Sequence, residues 1–263
     1  DVLAADLASL GFEARAAQTP GHPMVVAHGG EGKRHILFYG HYDVQPVDPL
    51  DLWARDPFDP VIEDTPKGRV IRARGSSDDK GQLMTFIEAC RAWKAVHGSL
   101  PGKLTIFLEG EEESGGASLP AFLAANEAEL RADIGLICDT SMWDPNTPAI
   151  TTSLRGLVYD EVKIKAANRD LHSGIFGGTV ANPNTVLARI VASLHDSDGR
   201  VAVPGFYDDV RPLEDWERTA WAALPGGEAE TLALTGVPKL TGEIGYTDPE
   251  RRWARPTAEV NGI

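Results

Sequence analysis

The sequence predicts an α/β domain with helices on the faces of a sheet, followed by a smaller α+β module. Short apolar runs at 36–39, 104–108 and 134–138 are typical of buried strands. Between the first two, apolar residues recur at helical spacing over 81–97, which predicts a long helix. Strands that alternate with helices are typical of a sheet covered by helices. The elements predicted for this first part, in chain order, are a helix over 2–10, a strand over 36–39, a strand over 70–74, a helix over 81–97, and strands over 104–108 and 134–138.

The later chain has a different pattern. Over 158–165 apolar and polar side chains alternate, which predicts a strand with one face in water. Helical spacing over 186–194 predicts a helix, and beyond Val201 the pattern defines no further element. We therefore expect one domain at residues 1–151 and a second at 152–263.

Composition excludes several classes of protein. The formal net charge of −14 makes nucleic acid a poor partner, because phosphate contacts need Lys and Arg. No apolar run approaches the ~20 residues that a membrane span needs, and the start of the chain does not read as a signal peptide. Cys90 and Cys138 lie in apolar surroundings, which favours reduced thiols and a cytoplasmic location.

Polar clusters follow the predicted strands. They lie at 41–43, 75–81, 109–115 and Asp139. In α/β sheets functional residues tend to lie just past the carboxyl ends of strands, so we expect these side chains to meet at one edge. Carboxylates packed together repel each other unless a cation lies among them. Mixed imidazole and carboxylate ligands suit Zn²⁺, Mn²⁺ or Co²⁺, and a carboxylate can bridge two metals about 3.5–4 Å apart.

Each cluster also has an ordinary interpretation when taken alone. His41 is of a type more often hydrogen-bonded than ligating. Asp78 and Asp79 could cap the helix that follows them. The three glutamates at 111–113 could form a solvated turn, and Asp139 could be a turn residue. The four clusters together favour a metal site over these alternatives.

The same residues resemble the M20 family of metallopeptidases, and within it the dipeptidase branch that includes carnosinase-like enzymes. The motifs that carry the resemblance are His41-Tyr42-Asp43-Val44-Gln45-Pro46, Gly75-Ser76-Ser77-Asp78-Asp79-Lys80-Gly81, Glu109-Gly110-Glu111-Glu112-Glu113-Ser114-Gly115, Asp139, and Asn168-Arg169-Asp170-Leu171-His172-Ser173-Gly174. The resemblance implies a mixed-sheet, zinc-peptidase-like catalytic domain with helices on both faces, and a lid and dimerisation domain behind it.

The resemblance also implies two divalent ions, Zn²⁺ or Mn²⁺, and a set of ligands. His41 and Asp139 would bind one metal. Asp78 would bridge both metals, and the peptide bond after it would be cis. Glu113 would bind the second metal.

Three further residues would have other roles. Asp43 would bond the His41 ring and fix its tautomer. Glu112 would be the general base that moves the proton of the attacking water. His172 would be the lid histidine that reaches the active site of the partner subunit in a homodimer.

The expected activity is hydrolysis of dipeptides or short peptides. One alternative on the same scaffold is an N-acyl amino acid deacylase or a carboxypeptidase, although Asp139 favours a peptidase because those branches tend to have Glu there. A third possibility is a dimeric scaffold that has lost catalysis. Members of the family take a last metal ligand, a His, and an Arg from their C-terminal part. His172 and His195 are the only His residues after Asp139, and neither matches that ligand. We therefore expect the chain to be a fragment of a longer protein.

Overall fold

A computed structural model describes residues 1–66 and 68–263. The chain forms two compact units, residues 1–150 and residues 151–263. None of the described helices is both long enough and apolar enough to cross a membrane.

The first unit contains seven strands and four α-helices among its described residues. The strands are β1 (Glu13–Ala17), β2 (Met24–Gly29), β3 (His35–His41), β4 (Val61–Thr65), β5 (Gly68–Arg72), β6 (Lys103–Glu109) and β7 (Ile134–Ile137). The helices are α1 (Val2–Ser9), α2 (Lys80–His97), α3 (Leu119–Ala125) and α4 (Glu127–Leu130), with 3-10 turns at Leu50–Leu52 and Glu112–Ser114. The predicted strands over 36–39, 104–108 and 134–138 and the helix over 81–97 are therefore confirmed.

Five strands form one mixed sheet in the order β1-β2-β6-β3-β7. β2 is antiparallel to both β1 and β6, whereas β3 is parallel to β6 and to β7. His41 at the end of β3 lies opposite Glu109 at the end of β6. The carboxyl ends of β3, β6 and β7 therefore meet at one edge, where the segments that follow them emerge together.

Helices cover both faces of this sheet, as predicted. On one face α1 and α2 pack on β2, β3 and β6 through Leu7, Leu83 and Ile87, all fully buried. On the other face α3 and α4 pack through Phe122 and Leu130 on alternate residues of the same strands. Burial on both faces explains why these strands are continuous apolar runs in the sequence.

Two predictions about strands in this unit need correction. The strand predicted over 70–74 is not part of the five-stranded sheet, because among the described residues β5 pairs with β4 alone in an antiparallel hairpin. The residues over 134–137 form β7 but are exposed, because β7 is an edge strand with β3 on one side. β1 and β2 were not predicted, since Glu13 and Arg15 interrupt the apolar pattern of the first.

The second unit is helical in its described residues. Its helices are α5 (Ser173–Phe176), α6 (Pro183–Ala192), α7 (Asp215–Ala222), α8 (Gly227–Thr235) and α9 (Asp248–Trp253). α6 confirms the helix predicted over 186–194. The strand predicted over 158–165 is wrong, and Val158 is 84% exposed. An alternating segment forms a strand only when another strand pairs with it, and no described residue of this unit belongs to a strand.

Candidate metal centre

The edge formed by β3, β6 and β7 brings most of the predicted site residues together. His41 ends β3, and the turn Glu112–Ser114 follows β6 after two intervening residues. Asp139 lies two residues beyond β7, and Asp78 lies two residues before α2, which packs on this sheet. Asp78 thus arrives from the loop before a helix, and not from the end of a sheet strand as the sequence suggested.

His41 is the centre of a first group of donors. Its side chain is fully buried, and its Nε2 lies 3.2 Å from Asp78 Oδ1 and 3.7 Å from Asp139 Oδ2. Its Nδ1 lies 3.2 Å from Asp43 Oδ1. If Nδ1–H donates to Asp43, the Nε2 lone pair faces two carboxylates, an arrangement that needs either a proton or a cation between them. The candidate ligand atoms of His41, Asp78 and Asp139 all lie within 4.8 Å of one another.

A second group of donors combines His41 with Glu112 and Glu113, whose candidate ligand atoms also lie within 4.8 Å of one another. Glu113 Oε2 accepts a hydrogen bond from Gln45 Nε2. Glu113 Oε1 is buried and has no hydrogen-bond partner among the described residues. A buried carboxylate oxygen without a donor is costly. It therefore fits a position where a cation would bind.

Asp43 connects the two groups. Its carboxylate accepts the backbone N–H of Glu112 at 3.3 Å and that of Glu113 at 2.9 Å, in addition to its contact with His41. The turn that carries both glutamates is therefore tied to the end of β3. The sequence predicts the contact of Asp43 with His41, but not its hydrogen bonds with the backbone of Glu112 and Glu113.

From the sequence alone, Asp79 is predicted only as a possible helix cap. It does occupy the N-cap position of α2, but its side chain makes no cap hydrogen bond and instead accepts the backbone N–H of His41 at 3.0 Å. A Cβ at Gly40 would lie 2.8 Å from Asp79 Oδ2, so glycine is needed for this close approach. The Asp78–Asp79 peptide bond is cis, as the resemblance implied. Burial raises the pKa of Asp79.

The electrostatics of the centre are those of clustered carboxylates around one imidazole. Burial opposes protonation of His41, but the surrounding carboxylates, with Asp43 first among them, raise its pKa overall. Burial raises the pKa of Glu112, and the charges of Glu113 and Asp139 add to that effect while His41 opposes it. A divalent cation would relieve this repulsion, and imidazole with carboxylates is a donor set that suits Zn²⁺ and Mn²⁺.

His172 belongs to the second unit. It precedes α5, and its Nδ1 accepts the backbone N–H of Gly174 at 2.9 Å. With Nδ1 acting as an acceptor, the proton of the neutral ring is on Nε2, which leaves an N–H donor free for another group.

Known proteins resemble this chain over most of its length. The model of Peptidase family M20/M25/M40 matches residues 37–259. The Cys-Gly metallodipeptidase DUG1 of Candida albicans is 33% identical over 246 residues, which are 92% of this chain and 50% of that protein. The Beta-Ala-His dipeptidase of Homo sapiens is 32% identical over 245 residues, 92% of this chain and 48% of that protein.

A solved structure agrees with this assignment. An M20 family metallo-carboxypeptidase from Sulfolobus solfataricus superposes with a TM-score of 0.79 at 33% identity, covering 99% of this chain and 59% of that one. The chain belongs to peptidase family M20/M25/M40, and two of the relatives named here are a metallodipeptidase and a metallo-carboxypeptidase. It spans about half the length of the curated relatives that it matches.

Proposed function

We propose that the protein hydrolyses dipeptides or short peptides at a centre of two divalent metal ions. The observation that carries the proposal is the arrangement around His41, where Asp78 and Asp139 converge on Nε2 and the buried Glu113 Oε1 has no donor among the described residues. Relatives named as dipeptidases support the class of substrate.

Four residues would hold the ions. His41 and Asp139 would bind one, Asp78 would bridge the two, and Glu113 would bind the other. Zn²⁺ and Mn²⁺ both suit this donor set. Ions bound there would lower the pKa of water and polarise the scissile carbonyl.

Glu112 would act as the general base. It takes a proton from the water as the oxygen–carbon bond forms, and gives it to the amine as the carbon–nitrogen bond breaks. Asp43 would hold both the His41 ring and the turn that carries Glu112.

His172 would donate from Nε2 to the oxyanion that forms on the carbonyl oxygen. Its Nδ1 contact with Gly174 supports this role, because it leaves the proton on Nε2. We propose that the second unit is the lid and dimerisation domain, so that this donor acts in the active site of the partner subunit of a homodimer. We also place the protein in the cytoplasm, which the two free thiols support.

The test is a count of metal per chain and a comparison of substrates. The chain is loaded with Mn²⁺ or Zn²⁺, dialysed and measured by elemental analysis, and we expect two ions. A chain that retained no divalent ion would overturn the metal centre. With the loaded protein, a free dipeptide such as Cys-Gly should turn over faster than an N-acetyl amino acid. The reverse order would replace peptidase by the deacylase alternative.

A further inference from the structure

Glu111 is the one member of the glutamate run at 111–113 that has no role in the proposed hydrolysis. Its side chain is only 6% exposed, unlike the solvated turn that an acidic run normally forms. Burial of a carboxylate is costly unless hydrogen bonds stabilise it. The contacts that Glu111 makes therefore indicate what it does.

The carboxylate of Glu111 joins two loops. Its Oε1 accepts the backbone N–H of His22 at 2.8 Å and the hydroxyl of Ser118 at 3.2 Å. Its Oε2 accepts the backbone N–H of Ser118 at 2.8 Å. One side chain thus connects the loop before β2 with the segment that leads into α3. Both oxygens are bonded to backbone donors.

The backbone of Glu111 is held as firmly as its side chain. Its carbonyl accepts the N–H of Ser114 at 3.1 Å and the N–H of Gly116 at 2.7 Å. The hydroxyl of Ser114 lies 3.2 Å from the same oxygen. These bonds close the turn that carries Glu112 and Glu113, so the residue before that turn is fixed at both its backbone and its side chain.

Gly21 leaves room for the Glu111 carboxylate, because it has no Cβ. A Cβ at position 21 would overlap Glu111 Oε1 and would also lie 3.2 Å from the Ser118 hydroxyl. Its φ is not in the left-handed region, so the backbone would accept alanine, and the main clash of the new methyl group is with the Glu111 carboxylate. The neighbouring Pro23 carbonyl accepts the Tyr42 hydroxyl at 2.6 Å, which ties the same loop to the residue after His41.

We propose that Glu111 is a positioning residue that fixes the direction in which Glu112 and Glu113 leave the turn, using the backbone at Gly21 and His22 as its anchor. Asp43 holds the turn from the end of β3 through the N–H groups of the two glutamates, and Glu111 holds the residue before the turn through its bonds to His22 and Ser118. This inference rests on the proposed function, since Glu113 is taken as a ligand and Glu112 as the base.

Two variants, Glu111→Gln and Gly21→Ala, disturb the contacts of the Glu111 carboxylate. In Glu111→Gln one terminal atom becomes an NH₂ group, which faces a backbone N–H whichever way the amide turns, so at least one bond is lost. Gly21→Ala displaces the carboxylate from the other side of the contact. Leu7→Ala, in the core on α1, is the control for a general loss of stability, and all thermal midpoints are measured.

The first measurement is the dissociation constant for Mn²⁺ on the 263-residue chain. We expect Glu111→Gln and Gly21→Ala each to weaken binding about 10- to 100-fold, as partners behind metal ligands do. Leu7→Ala should change the constant by less than about twofold, as a site without a shared partner should. In a Glu111→Ala background Gly21→Ala should have almost no further effect, because the overlapping carboxylate is gone. An equal effect of Gly21→Ala in both backgrounds would overturn the proposal.

The second measurement needs no metal. Amide hydrogen exchange by NMR should accelerate at Glu112 and Glu113 in Glu111→Gln, relative to the core amides of β6, and should not do so in Leu7→Ala. Unchanged protection of these two amides would overturn the role of Glu111. A wild-type chain that binds no Mn²⁺ but shows the accelerated exchange would instead overturn the metal centre and leave the role of Glu111 in positioning the turn supported.

Discussion

The carboxylate of Asp43 accepts the backbone N–H of Glu113 at 2.9 Å, and its other oxygen lies 3.2 Å from His41 Nδ1. One side chain therefore connects two of the proposed metal ligands, one at the end of β3 and the other in the turn after β6. The sheet places the ends of β3 and β6 side by side. Asp43 then contacts both the His41 imidazole and the backbone of Glu113, and so limits how far these two residues can move apart.

Asp43→Asn should weaken binding of Mn²⁺ or Zn²⁺ about 10- to 100-fold. An amide cannot accept from both Glu112 and Glu113 and also from His41, because one of its terminal atoms is a donor. Asp59→Asn, at an exposed position, is the control and should leave the dissociation constant unchanged. Equal affinity in the wild type and Asp43→Asn would show that the turn is held by other contacts.

Glu112→Gln and Glu113→Gln should separate proton transfer, proposed for Glu112, from metal binding, proposed for Glu113. Glu113→Gln should lose one of the two bound ions, because an amide oxygen is a much weaker ligand than a carboxylate. Glu112→Gln should keep both ions and abolish hydrolysis, because an amide cannot accept the proton. Elemental analysis and a dipeptide assay check the pair. Near-normal hydrolysis by Glu112→Gln would refute its assignment as the base.

Much of this centre could be predicted from the sequence, because its strands are short continuous apolar runs and polar residues follow them directly. The runs that became β3, β6 and β7 placed His41, Glu112 and Asp139 at one edge. The path of Asp78 was not predictable in the same way. The strand before it pairs in a hairpin, and a single sequence does not tell which strand is its partner.

The parts that were missed or wrong depend on partners distant in the chain. The alternation over 158–165 has the pattern of a strand, but the described residues of the second unit offer it no strand to pair with. Glu111 has the same residue type as Glu112 and Glu113, and only the fold shows that it turns away to His22 and Ser118. Asp79 likewise had a local interpretation as a cap, which its bond to His41 replaces.

Glu129 should make the first unit sensitive to acid. The Arg15 guanidinium forms a bidentate pair with this carboxylate, with hydrogen bonds of 2.5 and 2.7 Å. Arg15, together with the His28 ring, lowers the pKa of Glu129 to about 2 from an ordinary value of 4.5. Between these two values the folded protein binds fewer protons at Glu129 than the unfolded chain does. The stabilisation is therefore complete above about pH 4.5 and is lost as the pH falls towards 2.

The measurement for this pair is the free energy of unfolding in urea from pH 6 to pH 3. Glu129→Gln should cost about 1 kcal/mol at pH 6, since the pair is partly exposed and screened by solvent. The difference from wild type should shrink as the pH falls. Glu127→Gln is the matched control, because its exposed pair with Arg131 should contribute almost nothing. A difference that stayed constant with pH would contradict the linkage.

Tyr39 should be required to keep Glu109 buried. The Tyr39 hydroxyl donates to Glu109 Oε1, Glu109 is 1% exposed, and its Oε2 has no hydrogen-bond partner among the described residues. Burial raises the pKa of Glu109. Tyr39→Phe removes the one donor that the described residues offer to this carboxyl and should destabilise the protein by about 1–3 kcal/mol, the cost of leaving a buried polar group unpaired. Adding Glu109→Met should recover part of that loss, because replacing both partners by apolar groups removes the unpaired carboxyl. Urea unfolding of the two single variants and the double variant gives the coupling, and strictly additive changes would show that Tyr39 does not stabilise the carboxyl.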